Sequence, residues 1–123
     1  MKLHSSITLF LDPSTSVAKK TRATALGLTD FVHEIDLRTE KMTPTRWRQI
    51  LDALNMPPKQ ILNKAHPHYQ RYIRGRTFSD QDWLFILVNH PEMIRAPIAQ
   101  QGKRAVLCEN PNDIYKIVRR VAV

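Results

Sequence analysis

The sequence predicts an α/β domain built as a βαβ unit, a helical insertion, and a C-terminal β-hairpin with a closing helix. Three observations carry that prediction. The N-terminal segment has strand, helix, strand spacing. From Pro44 onward, apolar residues recur at helical intervals. In the last third, Ile98-Ala99-Gln100 and Ala105-Val106-Leu107-Cys108 flank Gln101-Gly102-Lys103-Arg104, a hairpin signal.

Ile7-Thr8-Leu9-Phe10-Leu11 is short, apolar and β-favouring, and reads as a buried first strand. Asp12-Pro13-Ser14-Thr15-Ser16 is a turn that ends in capping residues, so a helix is expected to begin near Ser14. Its inward stripe is Val17, Thr21, Ala25 and Leu28, with Lys19, Lys20 and Arg22 turned away. Phe31 to Leu37 alternates in part and supplies a second strand, parallel to the first across a right-handed crossover. Thr43-Pro44 opens a helix in which Trp47, Ile50, Leu51 and Leu54 fall at i, i+3, i+4 and i+7. Pro57-Pro58 breaks it and begins a helical turn through Ile61 and Leu62. His66-Pro67 begins another turn with Tyr69, Tyr72 and Ile73 apolar, and Gly75 can close it. Ser79 can cap a further helix, with Asp82 near the positive end of its dipole. Trp83 to Val88 is apolar on every face, which predicts a buried helix ending at Pro91. Asn110-Pro111-Asn112-Asp113 supplies a cap, a first-turn proline and a first-turn acid. Ile114, Ile117, Val118 and Val121 follow at helix spacing.

At 123 residues the chain is expected to form one domain, 1–123, with a single core. Hydrophobic residues make up 42% and there are only three glycines, which excludes extensive disorder. No apolar run approaches the roughly 20 residues of a membrane helix, and the apolar stretch near the N-terminus is too short for a signal peptide. A cytoplasmic protein without a membrane partner is expected. The single cysteine, Cys108, excludes an internal disulfide and a four-cysteine metal site. His66 and His68 flank Pro67 with no further ligands near them in sequence, so no metal or other cofactor is expected. The net charge is +8 and is unevenly placed. Between Lys41 and Arg76 there are eight cations (Lys41, Arg46, Arg48, Lys59, Lys64, Arg71, Arg74, Arg76) against one acid, Asp52.

The string His90-Pro91-Glu92-Met93-Ile94-Arg95-Ala96-Pro97-Ile98, followed by Gly102-Lys103-Arg104-Ala105-Val106-Leu107, resembles the arsenate reductase (ArsC) and Spx family. The resemblance implies a thioredoxin-like four-stranded mixed sheet, with strands near 6–11, 31–37, 97–101 and 104–108 and the hairpin antiparallel to the first strand. The thioredoxin-like part would be about 5–43 and 86–123, and the helical insertion about 44–85. It also implies a cis Ala96–Pro97 bond facing the first βα turn.

In that family the turn after the first strand carries a cysteine at a helix N-terminus, where unpaired N–H groups and the helix dipole lower a thiol pKa and hold an oxyanion. Here Thr15 occupies the cysteine position, and Ala18 the place of the second cysteine of the redox-switch branch. A hydroxyl cannot cycle through sulfenate or disulfide states. Thr15 and Ser16 then read as helix caps, and an anion pocket formed by Ser14, Thr15, Ser16 and Arg95 is the functional alternative. The family's oxyanion arginines fall at Asn63, Ala96 and Glu109, with Lys64 and Arg95 displaced by one. Cys108 remains the sole candidate thiol. It ends an apolar strand, where cysteine usually serves as a small buried hydrophobe, and Glu109 beside it would raise its pKa.

The expected function is therefore a non-catalytic ArsC/Spx-like binding or regulatory module. Arg46, Arg48, Lys64, Arg71, Arg74 and Arg76 are its candidate partner-binding residues, and an acidic protein is the expected partner. The resemblance to Spx adds the transcription machinery as a class of partner. The enzymatic alternative is a thiol-dependent oxidoreductase using Cys108 or an external thiol such as glutathione. A further alternative is nucleic-acid binding through the insertion, with Tyr69 and Tyr72 as stacking residues. The plain alternative for the charge run is a solvated helical face.

Overall fold

The computed structural model describes residues 2–118. Strand β1 (Ile7–Leu11) leads into helix α1 (Ser16–Leu28) and strand β2 (Val32–Asp36). Helix α2 (Pro44–Leu54) is followed by a 3-10 turn at Pro58–Ile61, a π-helical turn at Tyr69–Ile73 and helix α3 (Asp80–Asn89). A 3-10 turn at Pro91–Met93 precedes strands β3 (Ile98–Gln101) and β4 (Arg104–Leu107). A closing 3-10 segment spans Pro111–Lys116. The sheet order is β2-β1-β3-β4, with β1 and β2 parallel and both hairpin contacts antiparallel.

The local chemistry accounts for the boundaries. Thr15 caps α1 through Ala18 N–H, Thr43 caps α2 through Arg46 N–H, and Ser79 caps α3 through Asp82 N–H. Pro44 sits where its missing N–H costs nothing. Gly102, at φ +59°, takes the first of two turn positions between β3 and β4, where primed hairpin turns need a positive φ. Asn110 and Asp113 form a reciprocal capping box at the closing segment.

Strand alternation divides the core between two faces of the sheet. Ile7, Leu9, Leu11, Ala99 and Cys108 pack with Ala18 and Ala25 of α1 and with Ile114 and Ile117. On the other face, Phe10, Ile35, Ile98 and Leu107 meet Trp47, Ile50 and Leu51 of α2. Ile61, Leu62, Tyr69, Ile73 and Leu87 complete that cluster. The helical insertion is thus the second layer of the core.

Four expectations are corrected. Among the described residues no peptide bond is cis, so Ala96–Pro97 is trans. Trans is the intrinsically favoured isomer, and the Pro97 carbonyl accepts from Cys108 N–H at 2.7 Å. The inward stripe of α1 is Ala18, Thr21 and Ala25, with Val17 and Leu28 only half-buried. Helix α3 is not buried all round: Leu87 is its one fully covered residue and Phe85 is 68% exposed. The helix lies at the margin of the insertion, where no second layer reaches its outer side. The closing segment is 3-10 through Lys116, and Val121 lies outside the described residues.

The Thr21 hydroxyl is fully buried and has no hydrogen-bond partner among the described residues. An unsatisfied buried polar group costs about 1 to 3 kcal/mol, while valine has a similar shape and helix propensity. Thr21→Val is therefore expected to stabilise the fold by about 1 kcal/mol. Urea unfolding should show a higher midpoint with an unchanged slope; a lower midpoint would mean that the hydroxyl is satisfied after all.

Candidate functional site

The turn from β1 into α1 is closed by its own side chains. Asp12 follows the last residue of β1, and its Oδ1 accepts from Ser14 N–H at 2.9 Å and from the Ser14 hydroxyl at 2.6 Å. The Thr15 hydroxyl donates to the Asp12 carbonyl at 3.1 Å and accepts from Ala18 N–H at 3.2 Å. Both functions of that hydroxyl are used, so Thr15 is a helix cap. The Ser14 hydrogen bonds, followed by the nearby Arg38 charge, hold the Asp12 carboxyl below the usual carboxylate range.

Arg38 stands just past β2 and bridges two acids. Its Nε and Nη2 donate to Asp36 Oδ1 and Oδ2 at 3.1 and 3.0 Å, and Nε lies 3.5 Å from Asp12 Oδ1. The sequence reading missed this residue. The available signal was its place beyond the C-terminal end of a parallel strand, where ligand-facing loops gather in α/β sheets.

These groups open onto a cleft of about 670 Å³. Thr15, Asn63, Arg95 and Ala96, four positions singled out from the sequence, come together on its walls with Asp12, Arg38 and Lys41. Ser14 and Ser16 are exposed but do not line it. Asn63 accepts from Ala65 N–H at 3.0 Å, and its own N–H reaches the Met93 carbonyl at 2.7 Å. Arg95 is anchored: its N–H bonds the Ile61 carbonyl at 2.9 Å, and its Nε bonds the Gln60 carbonyl at 2.7 Å. Its Nη1 forms an ion pair with Glu109. Glu109 therefore neutralises Arg95.

Cys108 lies outside the cleft, fully buried among Ile7, Leu9, Leu11 and Ala99 on the other face of the sheet. Burial, followed by the Asp113 carboxylate, pushes its thiol up to about 12. The neighbouring acid that matters is Asp113; Glu109 is turned to Arg95.

The insertion carries the remaining candidates. Arg46 is half-buried, with its guanidinium 5.2 Å from the Phe10 ring centroid, whereas Arg48 is exposed. Lys64, Arg71, Arg74 and Arg76 are exposed, Arg71 lying over Tyr72 and Arg74 donating to Gln70 at 3.0 Å. Among the described residues, no cation from Lys41 to Arg76 is in an ion pair. Tyr69 is 3% exposed, which removes it as a stacking residue; Tyr72 is 45% exposed. Among these residues no group of three or more His, Cys, Asp or Glu is arranged to hold a metal ion, and no helix is long and apolar enough to cross a membrane.

The model of the ArsC family matches residues 10–117. The solved structure of an arsenate reductase from Vibrio cholerae is similar at a TM-score of 0.83 and 17% identity, covering 93% of this chain and 98% of that one. An arsenate reductase (ArsC) related protein from Brucella melitensis is similar at a TM-score of 0.69 and 16% identity, covering 94% and 97%. Comparison with curated protein sequences returned no significant match. At these identities the structures establish the fold, and the family model establishes the lineage: the chain belongs to the ArsC family and has a thioredoxin-like fold.

Proposed function

We propose that this protein is a non-catalytic, Spx-like member of the ArsC family that works in the cytoplasm as a binding module for an acidic protein partner. One observation carries the reading: the protein's own groups occupy the place where a thiol and an oxyanion would meet. Thr15 caps α1 where the family has its cysteine, the Asp12 carboxylate takes the Ser14 N–H, and Glu109 takes the Arg95 charge. An oxyanion at the Ser14 N–H or at Arg95 would have to displace a carboxylate already paired there. The cations of the insertion have the opposite character: all but the half-buried Arg46 are exposed, and among the described residues none is in an ion pair. A surface of that kind speeds the encounter with an acidic partner.

The oxidoreductase alternative finds little support. A thiol with a pKa near 12 is almost wholly protonated at neutral pH, and full burial bars contact with a co-substrate. Native protein at pH 7.5 should not react with iodoacetamide within an hour, and the same protein in denaturant should be fully alkylated. Rapid native alkylation would reopen the enzymatic reading.

Arsenate reductase activity is expected to be absent with excess glutathione and glutaredoxin. Thr15→Cys alone should not create an efficient enzyme, since Asp12 and Glu109 still occupy the anion donors. Saturable turnover by the wild-type protein would overturn the proposal.

Charge reversal tests the binding surface. Arg71→Glu, Arg74→Glu and Arg76→Glu together should leave the circular dichroism spectrum and unfolding midpoint near wild type, because these side chains are exposed. Capture of partner from cell extract should fall by about tenfold or more, equivalent to roughly 1.4 kcal/mol. Capture by the wild type should also weaken with salt, since the Debye length is about 8 Å at physiological ionic strength. A polynucleotide partner would be recognised by a far steeper salt slope and by nuclease sensitivity. Unchanged capture by the triple variant would reduce the charge run to a solvated face.

A further inference from the structure

Three of the five histidines meet at the joint between the π-helical turn and the end of α3. The His68 ring, just before the turn, stacks on the ring of His90, which caps α3, with centroids 3.8 Å apart and planes 25° from parallel. Tyr72 tilts against His68 at 4.7 Å. His66 Nδ1 accepts a hydrogen bond from His68 N–H at 3.1 Å. Glu92 reaches His90 Nδ1 at 3.5 Å. From the turn, then, His66 and Tyr72 face His68, with the Arg71 guanidinium beyond Tyr72. From the α3 side, His90 and Glu92 face it.

We propose that His66, His68 and His90 form an acid-released latch that holds the basic segment 69–76 against the end of α3. The physical basis is that the latch requires neutral imidazoles at His66 and His68. His66 Nδ1 can accept from His68 only through its lone pair, which protonation removes. The stacked rings tolerate a single positive charge, with the Glu92 carboxylate 3.5 Å from His90 Nδ1 to offset it. A second proton, on His68, places like charges 3.8 Å apart. Burial, then the neighbouring His90, lowers the His68 pKa.

The sign follows from that direction. A histidine with a depressed folded-state pKa contributes stability fully present above its unfolded value of about 6.5. That contribution is lost as pH falls from there through the lower folded value. The latch joins two functional regions, because Asn89, Pro91 and Glu92 beside His90 line the cleft while Arg71, Arg74 and Arg76 lie on the held segment. It is a property of the fold and stands whether or not the binding-module reading holds.

Amide hydrogen exchange tests it, comparing the full chain at pH 7.5 and pH 5.5 after correction for intrinsic rates. In the wild type, protection of residues 69–76 should fall by tenfold or more at pH 5.5, while β1 and β3 keep theirs. His68→Phe/His90→Phe retains a stacked pair that cannot gain a proton, and its loss over the same residues should stay below about threefold. Unchanged protection in the wild type, an equal loss in the paired variant, or a uniform loss across the sheet would each overturn the latch. If the paired variant does not fold, ring-proton NMR on the wild type decides. His68 should titrate below about 6.5 in step with amide shifts at 69–76, and titration at or above that value with no amide response overturns the proposal.

Discussion

Strand β1 is apolar on both faces, and the rest of the structure follows from the need to cover it. Ile7, Leu9 and Leu11 on one side and Phe10 on the other are essentially inaccessible to solvent. Full burial of such side chains contributes about 1.5–3 kcal/mol each, so neither face can be left open. The crossover helix α1 and the closing 3-10 segment cover one side. The insertion covers the other through Trp47, Ile50, Leu51, Tyr69 and Ile73. Its inner stripe is therefore committed to the core, and its polar residues have only the outer surface to occupy. The exposed cations of the insertion are the other side of a packing requirement.

The same strand sets the candidate site. Its C-terminal end delivers Asp12 and Thr15 to the mouth of the cleft, and the parallel partner β2 delivers Arg38 beside them. A βα turn of this kind offers N–H groups to an anion. In this chain a carboxylate from the preceding residue has taken that offer, held low in pKa by the Ser14 donors and Arg38. On the opposite wall, Glu109 does the same for Arg95. The cleft persists as a shape, with Arg38 and Arg95 paired internally and Lys41 on its wall in no ion pair among the described residues. A single residue change at Thr15 would touch only one of these arrangements.

The remaining polar features divide by whether they are satisfied within the fold. Arg38, Arg95 and Asp113 have close partners of opposite charge and fix loops in place. The cations from Lys59 to Arg76 have none among the described residues. The histidine stack lies between these groups, tying the turn that carries Arg71 and Arg74 to the cleft wall near Asn89 and Glu92. Most ion pairs of the described residues thus lie on the sheet side, and the insertion presents its excess charge outward.

The sequence by itself determined the elements whose causes are local. The alternation of β1, the helical repeat from Trp47 to Leu54, the caps at Thr43 and Ser79, the glycine turn at Gly102 and the box at Asn110 each depend on residues within a few positions of one another. Reading Thr15 as a cap was possible for the same reason. Only the tertiary structure decided where distant residues meet. Arg38 next to Asp12, Glu109 on Arg95 and His68 on His90 join segments well separated in the chain, and no local pattern encodes such pairs. Burial of α3 was misread because composition reports what a helix can bury, whereas coverage depends on which neighbours arrive: Leu87 found them and Phe85 did not.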